Sequence, residues 1–197
     1  MQYKVNDTFY SLQGEGAWTG APMFFIRLSG CNLNCKFCDT AYKTYVEYDE
    51  DQLVEMVDGT AAERVVITGG EPMLQSVGTL LKTLHDKGYT IHLETNGTVF
   101  SPYYPDFDFI ALSPKSAKLD IGAVDWADEL KFLVGLPDWE KIITEVVDTY
   151  HPTAKLRVMP LATKVDWEKN TQEAINYCLT HPKFSLCPQT HKYLNFK

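Results

Sequence analysis

Three cysteines lie within eight consecutive residues of this 197-residue chain, at Cys31, Cys35 and Cys38. The segment follows an apolar run, Phe24 to Leu28, and its glycine and asparagines favour turns. Thiols this close together on one loop are typical of metal ligands and unlike the disulfide framework of a secreted domain. The chain must therefore fold so that three sulfurs face one site.

Two kinds of metal site compete for this spacing. Three thiolates can hold three irons of a cubane cluster and leave the fourth iron open, whereas structural zinc usually has four closed ligands. No second Cys-x2-Cys or His-x3-His pair occurs, and only isolated histidines could complete a zinc site. The spacing favours a 4Fe-4S cluster, with zinc as the alternative. Cys178 and Cys187, far along the chain, are predicted to be free structural thiols.

Length and charge exclude several classes of protein. With 45% hydrophobic residues we expect a single domain over residues 1–197. No apolar run approaches the roughly 20 residues needed to cross a bilayer, and the polar start is unlike a secretory signal. A net charge of −8 disfavours binding to nucleic acid or to an anionic membrane. We therefore expect a cytoplasmic protein with a small-molecule ligand.

Apolar segments of strand length recur along the chain. The predicted strands are Phe24 to Leu28, Val65 to Thr68, Ile91 to Glu94, Phe109 to Leu112, Leu130 to Val134, Leu156 to Met159 and Phe184 to Cys187. Amphipathic helices are predicted between several of them. One clear helix is predicted from about Met73 to Lys87, with Pro72 in its first turn and Gly88 at its end. The clearest helix is predicted from Trp139 to Tyr150. Weaker helices are predicted around Leu53 to Val57 and Trp167 to Cys178.

This alternation predicts an α/β fold with parallel strands and right-handed crossovers. The strands are too few for the eight units of a closed barrel, so we expect a partial, incomplete βα barrel. Loops after the strand C termini then form the ligand-binding edge.

Three further motifs follow predicted strands. Thr68-Gly69-Gly70-Glu71-Pro72 allows close backbone approach, and its helix start could offer free N–H groups to an anion. Glu94-Thr95-Asn96-Gly97 is either an Asn-Gly turn or a carboxylate aimed at a ligand. Ser113-Pro114-Lys115 would by itself be a surface turn. All three are expected at the same edge as the cysteine loop.

The cysteine spacing, with Phe37 before the last cysteine and Gly69-Gly70-Glu71-Pro72 downstream, resembles the radical S-adenosylmethionine (SAM) superfamily. The resemblance implies that SAM chelates the open iron and that one electron from the cluster breaks its sulfonium bond. The resulting 5′-deoxyadenosyl radical abstracts hydrogen from the substrate. The cofactors carry this chemistry, and the protein positions them.

A narrower resemblance covers almost the whole chain. Ser11 to Gly16, Arg27, Asp39-Thr40 and Gln189 to Lys192, added to the motifs above, resemble the 7-carboxy-7-deazaguanine synthase family. That family implies ring contraction of 6-carboxy-5,6,7,8-tetrahydropterin to 7-carboxy-7-deazaguanine, with loss of ammonia, in queuosine biosynthesis. It also implies a homodimer and a flavodoxin or ferredoxin as reductant.

The resemblance assigns roles by position. Expected substrate contacts are Leu12, Gln13, Gly14, Arg27, Thr68 and His191. Expected SAM contacts are Phe37, Cys38, Asp39, Gly70, Glu94, Ser113, Pro114, Lys115, Met159, Pro160, Leu161 and Ala162. Thr40 would bind Mg²⁺. The segment Met159 to Ala162 departs from the usual Gln-Pro pair and following acid, so only backbone contacts are expected there, and a surface histidine is the alternative for His191.

Two other functions remain open at this point. A different radical SAM enzyme, such as an activase that abstracts hydrogen from a partner's glycine, explains the cysteines but gives Gln13, Arg27 and Thr40 no role. The other alternative is a protein that is not an enzyme, either a domain stabilised by zinc or a simple electron carrier.

Overall fold

Strands and helices alternate as predicted in the computed structural model, which describes residues 1–38, 40, 42–162 and 165–197. The strands are β1 (Gln2–Leu12), β2 (Pro22–Leu28), β3 (Val46–Asp49), β4 (Arg64–Gly69), β5 (Thr90–Thr95), β6 (Phe109–Leu112), β7 (Glu129–Val134), β8 (Lys155–Pro160) and β9 (Phe184–Leu186). The helices are α1 (Glu50–Asp58), α2 (Gly78–Asp86), α3 (Ile121–Asp125), α4 (Trp139–Tyr150), α5 (Trp167–Thr180) and α6 (Thr190–Leu194). Within these ranges, no helix has the length and apolarity to span a membrane.

The strands of the described residues form one open sheet in the order β3-β1-β2-β4-β5-β6-β7-β8-β9. Neighbours from β2 to β9 are parallel, which confirms the predicted α/β fold with an incomplete barrel. β1 instead pairs antiparallel with both β2 and β3. These two strands extend the sheet beyond the seven that were predicted.

The sequence gives weak signals for β1 and β3. A register shift between Val5 and Asp7 interrupts the alternation of buried and exposed side chains along β1. β3 has four residues and is mostly exposed, so it carries no apolar run. Both strands are specified by pairing with the rest of the sheet.

The two faces of the sheet differ in chemistry because successive side chains of a strand point to opposite sides. On one face Ile26, Ile67 and Leu93 belong to the main core, together with Leu53 of α1 and Leu81 of α2. The other face carries polar and charged side chains, among them Arg27, Thr68 and Glu94 from these three strands and Lys131 from β7. Helices cover the first face, and the second is left for a site.

The helix predicted from Met73 to Lys87 is wrong in its first half. Pro72–Leu74 forms a single 3-10 turn, and α2 begins only at Gly78. Between them Gln75 is extended, and its side-chain amide donates to the carbonyl oxygens of Lys4 and Ser29, at 3.0 Å each. These two hydrogen bonds fix Gln75 to β1 and to the residue that follows β2, and they prevent a continuous helix.

An aromatic cluster of Trp18, His92 and Phe109 packs on the second face of the sheet. The His92 ring lies 5.1 Å from the Trp18 ring and 5.2 Å from the Phe109 ring, centroid to centroid. His92 is 4% exposed, and its Nε2 atom has no hydrogen-bond partner in the part of the chain that the structure describes. Burial, together with the nearby Arg64 guanidinium, lowers the pKa of His92 to about 4.

We predict that His92 makes the protein sensitive to mild acid. Because its folded-state pKa lies below its unfolded value, the unfolded chain binds more protons between about pH 6.5 and pH 4, so stability falls as pH falls through that window. His92→Phe should remove a loss on the order of 3 kcal/mol. Urea unfolding at the two ends of the window measures it. The exposed control His181→Gln should keep the wild-type slope, and a His92→Phe protein as acid-sensitive as wild type would contradict the prediction.

Candidate active site

Two adjoining cavities open at the C-terminal ends of the parallel strands. The cysteine cavity, of about 280 Å³, is lined by Cys31, Cys35 and Cys38. The arginine cavity, of about 160 Å³, is lined by Gln13 and Gly14 among others. The residues common to both linings form a shared wall and are Glu15, Arg27, Thr68, Glu94 and Gln189. A molecule in one cavity therefore lies next to a molecule in the other.

The cysteine loop is anchored to its neighbours by hydrogen bonds. The backbone N–H of Glu71 donates to the Gly30 carbonyl at 2.8 Å, and the Asn32 amide donates to Thr98 Oγ1 at 2.8 Å. Within the loop the Cys38 N–H donates to the Cys35 carbonyl at 3.2 Å. These bonds hold the three thiols at one cavity.

The thiols suit a cluster with several irons. All three are free, Cys31 and Cys35 are half-buried and Cys38 is exposed. Burial raises the pKa of Cys31 and of Cys35. Among the described residues no three His, Cys, Asp or Glu side chains are grouped to hold a single metal ion. In a cubane each thiolate binds a different iron, so its ligands are spread more widely than those of one zinc.

The two other cysteines lie outside both cavity linings. Both are free, as predicted. The buried Cys187 sulfur accepts a hydrogen bond from the Gly16 N–H at 3.0 Å, and burial raises the pKa of Cys187 to about 11. Cys187 is therefore a structural thiol.

Glu71 anchors the glycine-rich loop and does not line either cavity. Its fully buried carboxylate accepts hydrogen bonds from Thr95 Oγ1 at 2.8 Å, the Asn96 N–H at 2.8 Å and the Met73 N–H at 3.1 Å. Burial raises the pKa of Glu71 although these donors oppose the shift. The prediction that a helix starting near Met73 offers free N–H groups to an anion is therefore wrong. No α-helix begins there, and the Met73 N–H already donates to the Glu71 carboxylate.

Most residues assigned to SAM lie around the cysteine cavity. Those in its lining are Phe37, Cys38, Gly70, Glu94, Ser113, Lys115, Met159, Leu161 and Ala162. Pro114 and Pro160 are buried outside the lining, and Asp39 lies outside the described residues. Burial, and next the charge of Lys131, lowers the pKa of Lys115 to about 8. Side chains from four separate loops thus meet at one cavity.

The six residues assigned to the substrate all line the arginine cavity: Leu12, Gln13, Gly14, Arg27, Thr68 and His191. Arg27 Nη1 donates to Thr40 Oγ1 at 2.9 Å, and Thr40 also lines the cysteine cavity. The His191 ring lies so close to Gly14 that a Cβ built on Gly14 would stand 2.2 Å from its Nδ1 atom. Any larger residue than glycine would displace this ring.

A charged cluster that includes two residues of the shared wall, Glu15 and Glu94, was not predicted. Lys131, on β7, is fully buried, and its Nζ atom lies 2.9 Å from Glu15 and 2.6 Å from Glu94. Burial would lower the pKa of Lys131, but the two carboxylates raise it above its usual range. Burial would likewise raise the pKa of Glu15, yet Lys131 and a hydrogen bond from Gln189 hold it at about 2. The available signal was a lone lysine within the apolar run Leu130 to Val134.

Comparisons with known proteins agree with this geometry. The family model described as the radical SAM superfamily matches residues 25–144. A 7-carboxy-7-deazaguanine synthase from Synechocystis sp. is 37% identical over 100% of this chain and 95% of its own, and one from Bacteroides thetaiotaomicron is 36% identical over 100% of both. The crystal structure of QueE from Escherichia coli has a TM-score of 0.84 at 27% identity, covering 97% of this chain and 95% of that chain.

We predict that Glu71 stabilises the junction of the loops around the cysteine cavity. Glu71→Ala would leave three buried donors without an acceptor and should lower the free energy of unfolding by about 3 kcal/mol. Urea unfolding of the metal-free protein measures the change. Glu63→Ala, at a side chain that is 83% exposed, serves as the control and should stay within about 0.5 kcal/mol of wild type. Equal stability of the two variants would show that Glu71 is not an anchor.

Proposed function

The chain belongs to the radical SAM superfamily and, within it, to the 7-carboxy-7-deazaguanine synthase family, and we propose that its two cavities divide the family's reaction between them. As an enzyme of this family it converts 6-carboxy-5,6,7,8-tetrahydropterin to 7-carboxy-7-deazaguanine with loss of ammonia, in queuosine biosynthesis. In the proposal the cysteine cavity holds the 4Fe-4S cluster and SAM, and the arginine cavity holds the pterin.

The observation that supports this division is the shared wall. Hydrogen abstraction needs the reacting atoms of two ligands to be adjacent, and a near-attack geometry supplies much of the rate enhancement. Arg27, Thr68 and Glu94 line both cavities, so ligands on the two sides of these residues are neighbours. Neither cavity alone offers both the cysteines and the Gln13-Gly14 backbone.

On the cofactor side, Cys31, Cys35 and Cys38 would hold the cluster. When bound, the cluster and SAM supply the 5′-deoxyadenosyl radical that removes hydrogen from the substrate. The protein's own groups orient SAM: Ser113 and Lys115 offer polar atoms, Phe37 offers an aromatic face and Gly70 allows close backbone approach. Met159, Leu161 and Ala162 give the cavity an apolar lining, which fits contacts without side-chain polarity.

On the substrate side, Arg27 would bind the pterin carboxylate. A guanidinium can form two charge-assisted hydrogen bonds to a carboxylate. Leu12, Gln13, Gly14, Thr68 and His191 would surround the ring system. Thr40, which accepts a hydrogen bond from Arg27, would also bind Mg²⁺, since magnesium keeps several waters and often relies on substrate oxygens.

The proposed enzyme is a single-domain, cytoplasmic homodimer that receives electrons from a small redox protein. One domain over residues 1–197 would suffice, because strands of a single sheet line both cavities. The cytoplasm would keep the three thiols reduced for cluster assembly. A flavodoxin or ferredoxin would supply low-potential electrons, and the enzyme would act as a homodimer. Electron transfer from purified flavodoxin and sedimentation velocity test the last two points.

The direct test is anaerobic reconstitution. Protein reconstituted with iron and sulfide, then given SAM, dithionite, Mg²⁺ and the carboxytetrahydropterin, is expected to be brown and to form 7-carboxy-7-deazaguanine. Cys35→Ala should lose both properties, because two thiolates cannot hold three irons. Cleavage of SAM without this product would overturn the substrate assignment.

Arg27→Ala should raise the KM for the pterin roughly 100-fold, because two charge-assisted hydrogen bonds to the carboxylate are lost. SAM cleavage without substrate should persist. Arg64→Ala is the matched control, since Arg64 lines neither cavity and should keep the wild-type KM. An unchanged KM in Arg27→Ala would remove Arg27 from the substrate site.

Thr40→Val should raise the Mg²⁺ concentration needed for half-maximal turnover by at least about tenfold, since loss of even an outer-shell partner of a metal typically costs 10 to 100-fold in affinity. Thr40→Ser keeps the hydroxyl and should retain the wild-type requirement. A Mg²⁺ titration of the reconstituted enzymes measures both. Equal Mg²⁺ dependence in Thr40→Val and wild type would exclude Thr40 as a ligand.

A further inference from the structure

Lys131 joins three segments that are far apart in sequence. One carboxylate it contacts, Glu15, follows the Gln13-Gly14 backbone, and the other, Glu94, ends β5. The second oxygen of each carboxylate accepts a glutamine amide: Gln189 donates to Glu15 at 2.7 Å, and Gln13 donates to Glu94 at 3.3 Å. The lysine lines neither cavity itself, but it holds together Glu15 and Glu94, two residues of the shared wall.

The two carboxylates also face the cavities. Their side chains are 19% and 20% exposed, whereas the Lys131 side chain is 0% exposed. One cation serves two carboxylates, so the group has one more negative charge than positive when all three are ionised. A tetrahydropterin ring carries several N–H donors, and SAM carries an ammonium group and ribose hydroxyls. Anionic acceptors on the shared wall complement donors on both ligands.

A second buried pair on the same face differs in each of these respects. Glu129 is 2% exposed and accepts hydrogen bonds from Arg157 Nε and from the Ala17 N–H. One cation meets one carboxylate, and neither side chain lines a cavity. This pair lies outside the linings of both cavities, and it provides a matched control for loss of a buried cation.

We propose that Lys131 is a positioning residue of the reaction, which holds Glu15 and Glu94 as ionised acceptors for the N–H donors of the pterin and for the polar groups of SAM. The proposal rests on the proposed function and adds to it the groups that recognise the nitrogen-rich part of the substrate. Arg27 would bind the carboxylate end, and the Lys131 cluster would bind the ring.

The charges around Glu94 give this role a pH dependence. Burial raises the pKa of Glu94 to about 7, with Lys131 opposing the shift and Glu15 and Glu129 adding to it. The cations in the lining of the cysteine cavity are Arg27, Lys115 and Lys192. Removing Lys131 takes away the closest cation and should raise the pKa of Glu94 further. Glu94 would then be protonated, and a poorer acceptor, at neutral pH.

The test measures binding and coupling separately. The probe is 6-carboxypterin, an oxidised analogue that cannot react, titrated into the reconstituted enzyme with SAM between about pH 6 and pH 8 while pterin fluorescence is followed. Turnover assays with the reduced substrate then compare 5′-deoxyadenosine released with 7-carboxy-7-deazaguanine formed. The variants are Lys131→Met, Lys131→Arg and the control Arg157→Met.

Lys131→Met should bind 6-carboxypterin at least about tenfold more weakly at neutral pH, and its loss of affinity on acidification should begin at higher pH than in wild type. It should also release 5′-deoxyadenosine without the matching product. Lys131→Arg keeps the charge and should recover most of the affinity. Arg157→Met should lower thermal stability and should change affinity and its pH dependence far less than Lys131→Met does, because neither Arg157 nor Glu129 lines either cavity. Wild-type affinity and pH dependence in Lys131→Met would overturn the proposal.

If Lys131→Met does not fold, Glu94→Gln decides, because Lys131 then keeps an ordinary pair with Glu15. Weaker binding that no longer varies with pH supports the proposal, and binding that still weakens below about pH 7 as in wild type overturns it. Failure of wild type to bind 6-carboxypterin or to form product would instead refute the proposed function.

Discussion

The parallel direction of the strands from β2 to β9 is the constraint on which the site depends. Parallel neighbours place all their C-terminal ends at one edge, and most of these ends continue into a loop that carries one of the sequence motifs. Apolar side chains on the other face, such as Ile67 and Leu93, bury against helices and fix the register. A shift of one residue would move Arg27 and Glu94 into that core. The hydrophobic packing and the site geometry are therefore set together.

Burial of a charged side chain costs free energy, and the buried charged groups near the site each have specific partners that offset this cost. Lys131 has two carboxylates, Glu129 has Arg157, and Glu71 has three hydrogen-bond donors. Buried ion pairs often contribute little net stability compared with apolar side chains of equal size. Stability alone does not account for these groups. Glu15 and Glu94 differ from the others in that they line the cavities, where the proposed ligands would give their charge a function.

The fold could be predicted largely because its parallel strands are continuous apolar runs. Arg27 could be placed near the cysteine loop because both lie at the end of β2. The N-terminal strand β1 was missed because its bulge breaks the alternation, and the Met73 helix was overpredicted because Gln75 makes tertiary hydrogen bonds that local pattern cannot reveal. Lys131 was missed for a similar reason, since its importance comes from two carboxylates distant in sequence.

The arginine cavity depends most strongly on such distant contacts. Thr190 donates from both its N–H and its Oγ1 to the Gly14 carbonyl, at 2.8 and 3.0 Å, and Ser11 Oγ donates to the Lys197 carbonyl at 2.6 Å. These contacts join residues more than 170 positions apart, so their formation carries the entropic cost of closing a very long loop. The cysteine loop, by contrast, lies directly between β2 and β3. The three thiols are thus placed by one local loop, whereas the rest of the cysteine cavity and the whole arginine cavity are lined by distant parts of the chain.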